Sequence, residues 1–269
     1  MDKDEIKKLA EDPKNIPGIY NYCDRWCERC AFTSRCLNFK MSTEKFSNEE
    51  TDINNAAFWK KLGEALQSTL DMLKEMAEER GIDLDSIRTD GDEQNRKALK
   101  EKAVVHMIVH ISKSYITMVD DWFSHDIYFV ENAGNKCIAD SSSHSIPSLS
   151  KEQMVTVKDA VEVIRWYQHQ IYVKLRRAIH SARNENLDIF DDDQKDSDGS
   201  AKVALIGIDR SISAWGKILD YFSDYRESTL KIIAYLEHLG KIIGNEFPEA
   251  RAFVRPGFDE ISVENRLKP

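Results

Sequence analysis

Proline and glycine are scarce in this chain, with 6 and 11 in 269 residues. That scarcity excludes a collagen-like or low-complexity chain and leaves long stretches free to be helical. Long hydrophobic runs are missing too. The longest, such as Val203–Ile208, are far too short to span a bilayer, so no membrane association is expected. The start, Met1–Lys8, is charged throughout and has no apolar core of a secretory signal, which points to the cytoplasm. Internal repeats are absent, and alternating strand-like spacing is confined to Ile127–Val130. No motif names a reaction, so whether the chain is an enzyme stays open. Basic residues are in deficit: 38 Lys and Arg against 47 Asp and Glu leave a formal charge of −9. A chain of that sign repels a phosphate backbone on average, which argues against nucleic acid as a partner.

Cysteine is also sparse, with 5 in the chain, but four of them sit at Cys23, Cys27, Cys30 and Cys36. Buried thiols used as small hydrophobes have no reason to recur so closely between charged residues. Reducing conditions argue against two disulfides, and Cys137 would be left over. The stretch therefore reads as a set of metal ligands. Cys23 and Cys30 on one regular helix would stand about 10.5 Å apart along its axis. Four sulfurs on one tetrahedral ion must lie roughly 3.8 Å from each other. The chain must then fold back, keeping at most a single turn around Cys27 and Cys30. Arg25, Arg29 and Arg35 are expected to offset the thiolate charge and lower thiol pKa. Tyr20, Tyr22, Trp26, Phe32 and Phe39 are expected to seat the knuckle.

Zinc is the expected metal, with an iron-sulfur cluster as the alternative, since compact cysteine runs are common in cluster ligation. The first three cysteines repeat the spacing of radical S-adenosylmethionine enzymes. The chain lacks the alternating strand and helix pattern of their barrel, has Arg29 where an aromatic is usual, and carries a fourth cysteine that would close the open iron site.

The rest of the chain is read by its period of three and four. Trp59, Leu62, Leu66, Leu70, Leu73 and Ala77 mark a helix over 52–79 that Gly81 ends. A second helix is expected over 93–123, with an apolar arc wide enough for two neighbours. Ser150 and Gln153 form a capping box that opens a third helix running to about 184. The aspartates from Asp188 to Asp198 are expected to form a solvated linker. A fourth helix is expected over 201–245, continuous or broken near 224–227. The fold expected is all-α: an antiparallel bundle of about four long helices with an irregular N-terminal four-cysteine metal knuckle. Its divisions are 1–46 for the knuckle, 47–246 for the bundle and 247–269 for a tail extended over the bundle or against the cysteine segment.

Other candidate groups have plainer explanations. His106 and His110 stand one turn apart on a polar face and read as solvated. Glu162, Trp166, His169, Val173 and His180 make a second line on the third helix, a conceivable histidine and carboxylate wall. The Glu-x-x-His motif of di-iron bundles is missing, so partial burial is the simpler expectation. Gln168 and Arg226 fall on core lines and should be hydrogen-bonded if buried. The sequence thus points to a helical protein with a structural four-cysteine metal centre and an interaction role with a protein partner. A redox or sensor protein is the alternative, and an enzyme with a metal inside the bundle comes third.

Overall fold

The computed structural model describes residues 3–45, 53–83, 106–125, 128–132, 135–139, 150–183 and 194–259. These fall into two compact units, one drawn from Met1–Arg96 together with Arg255–Pro269, the other from Lys97–Val254. Among the described residues, every regular element apart from one hairpin is helical.

The second unit is a bundle of four packed helices: α4 (Met107–His125), α5 (Lys151–Ala182), α6 (Asp196–Tyr221) and α7 (Arg226–Glu246). Each packs on two others, α4 on α5, α5 on α6, α6 on α7 and α7 back on α4, which closes the ring around one core. Ser150 accepts the Gln153 N–H while the Gln153 side chain accepts the Ser150 N–H, so the capping box starts α5 as expected. At the core centre Trp122 meets Trp215 and Phe123 edge-on, each at 4.9 Å between ring centroids. The Trp215 indole N–H donates to the Tyr115 hydroxyl at 3.2 Å. Burial pushes that phenol up to about 12. Gln168, 1% exposed, donates to the Ile116 carbonyl at 3.1 Å and to Asp120 at 2.7 Å, and accepts from Arg165 at 3.0 Å. Its expected pairing is met. Gly207 lets α5 and α6 approach closely, because a Cβ there would stand 2.8 Å from Tyr167 Cδ1.

Several expectations change. The fourth long helix is broken in two at Phe222–Tyr225, near the anticipated place, and its halves supply two members of the ring. It starts at Asp196, so Asp196 and Asp198 belong to its first turn and not to a linker; Asp198 is buried, which raises its pKa. Residues 184–193, with the other aspartates, lie outside the described residues, as does 84–105. The strand expected near Ile127–Val130 is β1 (Tyr128–Asn132), paired antiparallel with β2 (Asn135–Ala139), which the sequence pattern had not disclosed. Cys137 lies on β2 in register with Val130. Arg226 is exposed at the start of α7 and is not a core residue, because the break at 222–225 resets the helical phase.

The first unit holds α1 (Lys3–Ala10), α2 (Leu37–Lys45) and α3 (Ala56–Glu79) together with the cysteine stretch. α3 ends where expected, at Gly81 with φ 67°, but begins at Ala56 and not near 52, with Asn55 accepting the Ala57 N–H at 3.0 Å. It belongs to this unit and is not among the four ring helices.

Candidate metal centre

Two anchors bring the ends of the cysteine stretch together. Lys40 donates to Asp12 at 2.9 Å and to Asn15 at 2.8 Å, and Asn15 donates onward to the Leu9 carbonyl. The hydrogen bond from Lys40, with the Lys14 N–H behind it, holds the Asp12 carboxyl below its ordinary value. The Ile16 N–H donates to the Arg35 carbonyl at 3.0 Å and Arg35 Nε to the Lys14 carbonyl at 3.1 Å. Residues 9–16 are thus clasped to 35–40, and the chain between them must loop.

The loop is made of tight turns. Arg25, between Cys23 and Cys27, sits at φ 60°, the left-handed region that a non-glycine residue enters at a cost. A 3-10 turn over Cys27–Arg29 closes with the Cys30 N–H on the Cys27 carbonyl, and a second over Thr33–Arg35 closes with the Cys36 N–H on the Thr33 carbonyl. The single turn expected around Cys27 and Cys30 is present. Cys30 Sγ accepts the Phe32 N–H at 3.4 Å, and Cys23 Sγ donates to the Tyr20 carbonyl at 3.5 Å.

Cys23, Cys27, Cys30 and Cys36 all line one cavity, walled by Ile19, Tyr20, Trp26, Phe39 and Phe258. The four thiols are unbridged and half-buried. The outcome for a preformed knuckle is different: among the described residues no group of three or more His, Cys, Asp or Glu side chains is arranged to hold a metal ion.

The expected role of the arginines is corrected as well. Arg29 stacks on Trp26, with its guanidinium 4.1 Å from the ring, and Arg35 is bound to the Lys14 carbonyl, leaving Arg25 as the only one of the three on the cavity wall. The Cys27 thiol is pushed up, not down, first by burial and then by the neighbouring thiols Cys23 and Cys36. Desolvation is the largest cause, and no arginine is among the groups that act on this thiol.

Phe258 was invisible to sequence reasoning. The segment after Arg255 returns to this unit: Phe258 meets Phe32 edge-on at 5.1 Å, and Arg255 holds the segment in shape through three hydrogen bonds to Asp259. Gly257, at φ 75°, presses on Ile16, whose Cδ1 would lie 2.8 Å from a Cβ. The tail was expected over the bundle or against the cysteine segment: among the described residues 247–254 belong with the bundle, where Arg251 pairs with Asp209, and 255–259 with the cysteine unit. The available signal was Pro256-Gly257-Phe258, a turn bearing an aromatic near the end of a charged tail.

No metal site forms in the bundle among the described residues. His169, Glu162 and Val173 are exposed and His180 is half-buried, so the second line on α5 faces largely outward. His106 is not on an open polar face: it precedes α4, accepts the Ile108 N–H at Nδ1 (3.3 Å) and is partly buried, which lowers its pKa. His110 is exposed. No described helix is long and apolar enough to cross a membrane. Comparison with known proteins finds no family model, no curated relative and no solved structure that matches the chain.

Proposed function

We propose that Cys23, Cys27, Cys30 and Cys36 together hold one metal centre, and that this centre is structural, stiffening an N-terminal module that a cytoplasmic helical protein uses in interaction. The observation that carries the reading is the gathering of four cysteines, delivered by separate turns, on the wall of one cavity. A need for such a centre follows from the module's thin core. Within 3–45, Ile16 and Ile19 are the buried hydrophobic side chains among the described residues, too few to fix a segment of that length. A structural zinc supplies about 10–16 kcal/mol in small peptides at neutral pH, far more than two isoleucines. The Phe32 N–H on Cys30 Sγ is the kind of hydrogen bond that supports a thiolate ligand.

A second reading, an iron-sulfur cluster in a redox or sensor role, draws on a different observation. The thiols share a cavity without being arranged for a single ion, and a multi-atom cluster asks for wider spacing than zinc does.

Metal and acid-labile sulfide analysis of anaerobically purified full-length protein separates the two. Colourless protein with one zinc per chain supports the structural centre; brown protein with iron and labile sulfide supports the cluster. Metal-free folded protein with all four thiols open to alkylation overturns both.

A further inference from the structure

The four thiols on the cavity wall are not equivalent. Cys27 and Cys30 are the two ends of a single 3-10 turn, closed by the Cys30 N–H on the Cys27 carbonyl at 3.1 Å. With about 3.0 residues per turn and roughly 2.0 Å of rise per residue, such a turn sets side chains three apart one above the other, about 6 Å along its axis. A disulfide asks for Cα atoms about 4.4–6.8 Å apart with side chains that face each other. The turn already meets the first requirement and places both thiols on the same wall.

Cys23 and Cys36 are placed differently. Cys23 Sγ donates to the Tyr20 carbonyl at 3.5 Å, and Arg25, at φ 60°, stands between it and Cys27. Cys36 closes the second 3-10 turn, but the residue three before it is Thr33, so a hydroxyl stands where a partner thiol would. Cys27 and Cys30 are free and half-buried, which leaves them open to a small oxidant.

We propose that Cys27 and Cys30 are a reversible oxidation site, a dithiol that hydrogen peroxide converts into a disulfide. One sulfur attacks a peroxide oxygen, the O–O bond breaks, and the departing oxygen leaves as water with the thiol proton, so that a sulfenic acid remains. The second sulfur attacks the first, the S–O bond breaks, and a second water leaves with the second thiol proton. The two thiols lose two electrons and two protons, and the peroxide is reduced to two waters. Exchange with a small dithiol restores both thiols. The disulfide takes away two of the four ligands proposed for the metal centre, so oxidation should release the ion. That release rests on the metal reading, whereas the disulfide does not.

Trypsin supplies the readout, because Arg25, Arg29 and Arg35 put each of the four cysteines on its own peptide, 15–25, 26–29, 30–35 and 36–40. Full-length protein is reduced, stripped of metal with a chelator, exposed to an equimolar amount of hydrogen peroxide, alkylated and digested for mass spectrometry. The expected product is 26–29 joined to 30–35, two hydrogens lighter than the separate peptides and lost on treatment with dithiothreitol. Cys23→Ser and Cys36→Ser should keep this link, and Cys30→Ser should lose it. A different pair as the main product, or four thiols that all remain open to alkylation, overturns the proposal. The same treatment of the protein as purified, with metal measured before and after, tells the two readings apart. A 26–29 to 30–35 link in protein that never carried metal supports the oxidation site and removes the metal centre. Metal that stays bound, with no link in either sample, removes the oxidation site and leaves the metal centre.

Discussion

The cysteine module and the bundle solve the same problem by different means. The bundle buries Trp215, Tyr115, Tyr167, Leu205 and Leu236 in one continuous core and needs no cross-link. The module buries Ile16 and Ile19, ties its ends with Lys40 and Arg35, and walls a cavity with four thiols. Apolar area supports the first, and chain closure by hydrogen bonds and an ion pair supports the second. The difference teaches that helical content is no guide to how a region is held, because the turns of 20–36 are ordered by a handful of polar contacts.

The largest effect that would sharpen this contrast is loss of the module alone. Cys27→Ser, or any of the other three, should abolish metal binding and loosen 3–45 while the main thermal transition stays in place. Cys137→Ser should do neither. Metal content and proteolytic sensitivity of the N-terminal segment are the measurements, and a matching collapse of the bundle transition would break the comparison.

The reverse experiment is Trp215→Ala, which removes the centre of the aromatic cluster. It should cost about 3–5 kcal/mol by denaturant unfolding with no change in metal per folded chain. Coupled loss of metal would show that the two regions are not independently held.

Smaller is the effect of Gly257→Ala, which places a Cβ 2.8 Å from Ile16 at a backbone angle that alanine resists. Roughly 1–3 kcal/mol of overpacking should lift Phe258 from the cavity wall. Alkylation of the four cysteines in chelator-treated protein should then run faster than in wild type. An unchanged rate would remove the tail from the site.

The smallest effect is in pH. The Cys27 thiol is raised in the folded state, so its neutral form is favoured by the fold. That contribution is complete below the ordinary thiol value and disappears as pH climbs through the raised one. Chelator-treated module should therefore loosen on the alkaline side. Metal-loaded module should do the opposite, losing its ion as the pH falls and the ligands take up protons. The two titrations, followed by tryptophan fluorescence of Trp26, should diverge in sign.

Periodicity and capping chemistry were enough to place α3 and α5 and to anticipate the break in the last long helix, because these depend on residues within a few turns of one another. The Ser150 and Gln153 box and the glycine at 81 are local devices, legible in any context. The candidate site was legible in part for the same reason: four cysteines in one short stretch can share one centre only if the chain folds back, whatever surrounds them. Which charges face the thiols was not, since Arg29 is drawn to Trp26 and Arg35 to a carbonyl across the clasp. Phe258 lies 222 residues beyond Cys36 and reaches the cavity through a return of the chain that no local pattern encodes. The partners of the apolar stripes are of the same kind. An amphipathic face announces that something must cover it, but only the packing of the whole chain gave the ring to α4, α5, α6 and α7 and left the stripe of α3 outside it. Burial is a property of the assembled surface, so it is decided where distant segments meet.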